Sequence, residues 1–265
     1  RLNSGFLVGA SNNLYDSAPD SLLPKSGSGS AALAYNGANF EIVAAAARRK
    51  QGNYFAGRNG PTAFYDRRLG REELYSYVAP GSEVPNTSED ATSYLLKAAF
   101  KYDGGHRLEV GYTSYEADVG YAYPLFYDPS FPYGFPAQQF AFGYVKSRRY
   151  FSNYTWSPGN NLINFKANLW ATQLDMFERT LVSSPPSNIT DVFTWGGEIM
   201  NTSIVPTSAG TLKFRYGVEY SSADTDMPQF TKGRREVGGL FVNAEWQLNS
   251  WLRLDGSVRY DAFAV

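Results

Sequence analysis

Thr211-Leu212-Lys213-Phe214-Arg215-Tyr216-Gly217-Val218-Glu219-Tyr220 alternates without a break: even positions are aliphatic or aromatic, odd positions charged, hydroxylic or glycine. Successive side chains of an extended strand point to opposite faces, so this segment has one greasy face and one wet face. The same period recurs in Leu252-Arg253-Leu254-Asp255-Gly256-Ser257-Val258-Arg259-Tyr260-Asp261, in Arg107-Leu108-Glu109-Val110-Gly111-Tyr112-Thr113 and in Ile163-Asn164-Phe165-Lys166-Ala167-Asn168-Leu169. A soluble sandwich also alternates, but its strands usually run about five or six residues. Several runs here are well past that, which suits a membrane-spanning strand of roughly 9–11 residues that continues beyond the bilayer.

Outward from that stretch, tight turns alternate with long loops. The turns are Asn36-Gly37-Ala38, Asp103-Gly104-Gly105, Ser157-Pro158-Gly159-Asn160, Pro206-Thr207-Ser208-Ala209-Gly210 and Leu248-Asn249-Ser250; the loops lie near 51–91, 118–139, 182–189 and 226–235. Asn36-Gly37 is a strong hairpin signal, because a type I′ turn needs positive φ at both central residues. Strands are expected at roughly 4–12, 27–36, 39–50, 92–103, 106–117, 140–156, 161–181, 190–205, 210–225, 236–248 and 251–263. If each pairs antiparallel with the next, every short turn falls on one side and every long loop on the other. A transmembrane β-barrel has that sidedness, with short periplasmic turns and longer extracellular loops.

Composition agrees. The chain has 265 residues, 20 Tyr, 18 Phe and 5 Trp, an aromatic share of 16% that suits girdles at two membrane interfaces. Mean hydropathy is -0.37, as expected where every second residue is polar. The longest clean aliphatic run, Ile42 to Ala47, is far too short for a spanning helix. A net charge of -1 gives no field for nucleic acid. About eleven strands is an odd number, and an unclosed edge cannot sit in lipid. The expectation is therefore one domain, 1–265, forming part of a larger all-β transmembrane antiparallel barrel in the outer membrane of a Gram-negative bacterium.

Catalysis finds little support. His106 is the only histidine, and it sits beside the Gly104-Gly105 turn, away from the loop side. One histidine and no cysteine also leave zinc and iron–sulfur sites without ligands. The charged face (Lys97, Arg107, Glu109, Lys213, Arg215, Arg259) mixes signs, which reads as a solvated or plug-contacting wall. A selective pore usually concentrates one sign at its constriction. The densest binding surface is the 118–139 loop, with Tyr121, Tyr123, Phe126, Tyr127, Phe131, Tyr133 and Phe135 for stacking on a planar ligand. The alternative is a loop folded on its own aromatics and prolines. In the 51–91 loop, Arg67 and Arg68 offer partners for propionates or siderophore carboxylates, or equally for lipopolysaccharide phosphates.

Three stretches resemble a known family. They are Ser93-Tyr94-Leu95-Leu96-Lys97-Ala98-Ala99-Phe100-Lys101-Tyr102 with the following His106–Tyr112 strand, Thr194-Trp195-Gly196-Gly197-Glu198-Ile199-Met200-Asn201-Thr202-Ser203 with Leu212–Tyr220, and the run from Val242 to Asp261. In order and spacing they resemble hairpins of TonB-dependent outer-membrane receptors, with a texture nearest the haem and haemophore receptor branch. The resemblance implies a 22-stranded barrel plugged by an N-terminal domain, and uptake of a scarce iron complex such as a ferric siderophore, of haem or of cobalamin, powered by the TonB complex. It implies lipid and lipopolysaccharide around the barrel and a haemophore as delivering partner. The sequence shows no plug domain, no TonB box and no loop bearing an axial histidine. A passive porin-type diffusion channel is the alternative, and a soluble all-β enzyme or propeller a third.

Overall fold

The computed structural model describes residues 2–10, 26–59, 63–66, 71–74, 78, 80–120, 143–178, 188–228 and 231–265. In chain order the strands are β1 (Leu2–Ala10), β2 (Gly27–Asn36), β3 (Phe40–Gln51), β4 (Ala63–Asp66), β5 (Arg71–Leu74), β6 (Glu89–Tyr102), β7 (His106–Val119), β8 (Gly143–Trp156), β9 (Phe165–Glu178), β10 (Asn188–Thr207), β11 (Gly210–Met227), β12 (Thr231–Gln247) and β13 (Arg253–Ala264). Eleven of them form one sheet, ordered β1-β2-β3-β6-β7-β8-β9-β10-β11-β12-β13. Every neighbouring pair is antiparallel, from β1 with β2 through β12 with β13. β4 and β5 make a separate small hairpin inside the first long loop.

Local chemistry closes the short turns. The Gly37 amide donates to the Phe40 carbonyl at 2.8 Å. Gly105 has φ +80°, and a Cβ there would stand 1.9 Å from the Ser157 carbonyl oxygen of the adjacent turn. Asn160 Oδ1 accepts from the amides of Leu162 and Ile163 at 2.9 and 2.8 Å. Asn201, on β10, reaches across: its Nδ2 donates to the Leu162 carbonyl at 2.9 Å and its Oδ1 accepts from the Asn164 amide at 3.0 Å. Residues 161–164 therefore belong to the turn, and the strand expected from 161 begins at Phe165.

The register sorts side chains into two faces. On one, Lys101 stands beside Arg107, Lys97 opposite Gly111, Glu109 opposite Asn153, Asn153 opposite Asn168, and Asn168 opposite Glu198. On the other are Leu96, Leu169, Leu240 and Val258, which are 50%, 62%, 56% and 74% exposed. Among the described residues only Val84, Ala91, Ala99 and Ala117 are buried apolar side chains. A soluble sandwich or propeller of this size would hide an apolar core, whereas this sheet shows its apolar side chains outward, as a barrel wall does to lipid. The even, lipid-facing set at Leu212, Phe214, Tyr216 and Val218 matches the alternation in the sequence, with Lys213 and Arg215 on the opposite face.

Two expectations need correction. The loop expected at 226–235 is nearly absent, because β11 and β12 stay paired out to Met227 opposite Thr231. Lys232 Nζ lies 2.6 Å from Asp226, and Arg234 Nε donates to Ser222 Oγ at 3.2 Å. Cross-strand polar contacts hold this ladder beyond the point where Thr231-Lys232-Gly233-Arg234-Arg235 loses its apolar alternation. The 51–91 stretch, read as loop throughout, contains the β4–β5 hairpin, and β6 starts at Glu89.

Candidate functional site

Long connections gather at the end of the sheet opposite the tight turns, and that end holds the candidate site. Tyr121, Tyr123, Phe126, Tyr127, Phe131, Tyr133 and Phe135 lie outside the described residues, as do Arg67 and Arg68. What the structure describes is the platform that carries both loops. β7 and β8 deliver the 121–142 connection from Val119 and Gly143, which face each other across the ladder.

The base of the 52–88 connection is a closed knot. The Thr87 amide donates to Asn53 Oδ1 at 2.9 Å, and the Tyr54 amide donates to Thr87 Oγ1 at 2.9 Å. Asn53 Nδ2 donates to Glu83 Oε1 at 2.9 Å, and the Val84 amide donates to the Tyr54 carbonyl at 2.8 Å. Asn86 is buried and takes φ 63°, a left-handed conformation that asparagine tolerates better than most residues. The start of the other loop leans on this knot: the Gly120 amide donates to the Ser88 carbonyl at 2.8 Å. A Cβ at Gly120 would come 2.5 Å from the Asn86 carbonyl carbon, so only glycine permits the approach.

Beneath the knot, the polar face opens into a recess of about 370 Å³ lined by Ser28, Ser30, Arg49, Glu89, Ala91 and Tyr115. Tyr115 OH donates to Glu89 Oε1 at 3.4 Å, and Arg49 Nη2 lies 3.9 Å from Glu89 Oε2 while donating to Gln51 at 2.8 Å. The mouth of this wall of small side chains thus carries a guanidinium, a phenol and the Glu89 carboxylate between them, polar groups of both signs beside an aromatic ring. Sequence reading missed Arg49 and Tyr115 because it sought binding residues in loops alone. The available signal was Arg48-Arg49-Lys50 at the strand end, where alternation sends one of three cations inward.

Nearer the tight turns, a second recess of about 610 Å³ on the same face is lined by Lys166, Lys213, Arg215, Asn243, Glu245 and Asp255. His106 lies at the turn end, on the apolar face, as its position beside Gly104-Gly105 indicated. It stacks on Trp156 at 5.4 Å between ring centroids and shares a 2.7 Å hydrogen bond through Nδ1 with Tyr154 OH. It is part of an aromatic row with Phe165, which meets Tyr154 edge-on at 6.1 Å. Such rows sit at membrane–water boundaries.

No protein-family model matches the sequence. The chain is 25% identical to the Hemophilin receptor of Acinetobacter baumannii over 276 aligned positions, which cover 89% of this chain and 25% of the receptor. Among solved structures it is similar to the haemophore receptor HasR of Serratia marcescens, in complex with its haemophore HasA and haem. That likeness has a TM-score of 0.65 and 21% identity, covering 89% of this chain and 31% of HasR. It is similar as well to the FrpB iron transporter of Neisseria meningitidis, at a TM-score of 0.67 and 17% identity, covering 90% of this chain and 39% of FrpB. The chain thus spans about a quarter to two-fifths of the length of these relatives. Strand order, the two-faced register and these likenesses converge: the chain is similar to the TonB-dependent outer-membrane receptors and has the antiparallel all-β sheet of their barrels.

Proposed function

We propose that the protein is an outer-membrane uptake receptor for haem, energised by the TonB complex through a plug domain. The carrying observation is the sequence likeness to a receptor named for hemophilin across 89% of the chain. The likeness to HasR, a haemophore receptor, supports delivery by a haem-carrying protein. On this reading the full barrel has 22 strands, and the described sheet is one sector of its wall. The protein is a receptor, not an enzyme.

The roles divide by height. Tyr121, Tyr123, Phe126, Tyr127, Phe131, Tyr133 and Phe135 stack on the porphyrin or its carrier at the extracellular side, and Arg67 and Arg68 meet carboxylates. The prolines at 124, 129, 132 and 136 reduce the entropy lost when that loop orders on a ligand. Arg49 then takes a propionate at the lumenal mouth, with Tyr115 on the ring. Growth of a deletion strain on haem as sole iron source, complemented by the wild-type gene or by one with Tyr121, Tyr123, Tyr127 and Tyr133 changed to Ala, tests the reading. The expected result is growth with wild type, poor growth with the variant at equal surface expression, and none in a strain lacking TonB. Growth independent of TonB would make the protein a passive channel; restored growth only on ferric siderophores would replace the cargo.

A further inference from the structure

Partway down the polar face, two aromatic side chains stand side by side. Phe151 on β8 is opposite Trp170 on β9, in a row that continues to Gly111 on β7 and Gly196 on β10. The glycines decide how the rings lie. A Cβ at Gly111 would meet Cζ of Phe151 at 2.2 Å, and a Cβ at Gly196 would meet Cζ2 of Trp170 at 3.0 Å. Phe151 therefore leans over β7 and Trp170 over β10, away from each other and along the wall. With neighbouring strands about 4.8 Å apart, the row from Gly111 to Gly196 spans roughly 14 Å. It makes a low aromatic floor, about as wide as a porphyrin.

The next row toward the loops is Thr113, Arg149, Thr172 and Thr194. Arg149 is exposed, and its guanidinium carbon lies 6.0 Å from the centre of the Phe151 ring. Among the described residues it makes no ion pair. The row on the turn side holds Glu109, Asn153, Asn168 and Glu198, and its carboxylates are engaged there. Glu109 is held by Arg107, Lys97 and Asn153, and Glu198 accepts from Asn168. Aromatic cover over glycine stabilises a sheet, which accounts for the lean of the rings. It does not account for a cation without a counter-ion laid beside one of them, between two threonine hydroxyls. A free guanidinium next to an aromatic floor complements a molecule with an apolar face and a carboxylate at its edge.

We propose that Phe151, Trp170 and Arg149 form a binding station on the lumenal wall for a planar, apolar carboxylate, with the rings against its face and Arg149 on its carboxylate. The assignment rests on the reading of the cargo as haem and adds a station below the loops. Cargo meets it after capture, on its way along the wall, so the station governs the rate of transfer and not the capture itself.

The test is haem uptake by cells expressing the full-length receptor at equal surface level, with haem binding by the same cells lacking TonB as the measure of capture. Arg149→Gln and Trp170→Ala are expected to lower the maximal uptake rate by about fivefold while capture stays at the wild-type level. Arg149→Lys and Trp170→Phe, which keep the charge and a ring, should recover most of the rate. If Trp170→Ala does not assemble, Arg149→Gln still decides, because it alters an exposed side chain that makes no ion pair. Full-rate uptake by the variants, or capture lost in step with uptake, would overturn the station and leave the haem reading standing. A wild type that takes up no haem would overturn that reading and the station together.

Discussion

Two patches on the same polar face handle charge in opposite ways. Near the β6–β7 turn, Glu41 receives Lys101 at 2.5 Å and Arg107 at 2.9 Å. Glu109 receives Arg107 at 2.8 Å and Lys97 at 3.5 Å, and Asn153 Nδ2 completes it at 3.2 Å. That patch is closed on itself. On β9 and β11, two and four strands beyond β7, Lys166, Lys213 and Arg215 line the 610 Å³ recess, and among the described residues none of the three makes an ion pair. Alternation put all of these charges on one face; cross-strand register decided which of them found partners. The closed patch fastens strands to one another, and the open one faces a lumen in which the proposed plug would lie.

The largest effect tests whether both patches face a lumen at all. Val242→Arg, at the centre of the outward run from Trp246 to Gly238, should destabilise the folded barrel in liposomes by about 2–4 kcal/mol by denaturant titration. Asn243→Arg, one residue along, should cost far less. Equal costs would break the two-faced sheet and the comparison with it. Next comes Glu109→Ala. Its carboxylate is 11% exposed and holds two cations, so its loss should cost about 2–3 kcal/mol in the same titration.

Gly111→Val asks whether the closed patch depends on packing as well as charge. A Cβ at Gly111 would stand 2.2 Å from the Phe151 ring across the ladder, so the ring must move, at about 1–2 kcal/mol. The smallest expected effect is Lys213→Gln in the open patch, within about 0.5 kcal/mol. A Lys213 variant as costly as Glu109→Ala would show that the open patch is bound to something within the barrel, and plug removal should then erase the difference.

The fold was legible because barrel strands state their faces residue by residue. β2 falls at 27–36 as expected, and most other strands lie within about three residues of expectation. Period two carried that reading, and it failed where the period failed. Thr231 to Arg235 is polar on both faces yet remains in the ladder through contacts to β11. Turn chemistry carried the sidedness, but Asn201 holding 161–164 was invisible, because it lies 39 positions from Leu162. The residues named for the candidate site lie outside the described residues, and the recess below them was not legible. Aromatic and arginine density marked the loops, while Arg49 and Tyr115 became partners in one recess through a register that no local pattern announces.

Gly120 resting on Asn86 gives the two candidate loops a common hinge. Neither is then a free module. A designer who transplants the 121–142 segment onto another barrel would carry its aromatics but lose the contact at its start, because the residues that receive Gly120 sit in the other segment. If the two segments bind cargo as proposed, exchange of specificity would have to move both together, and the pair, not the single loop, would be the heritable unit.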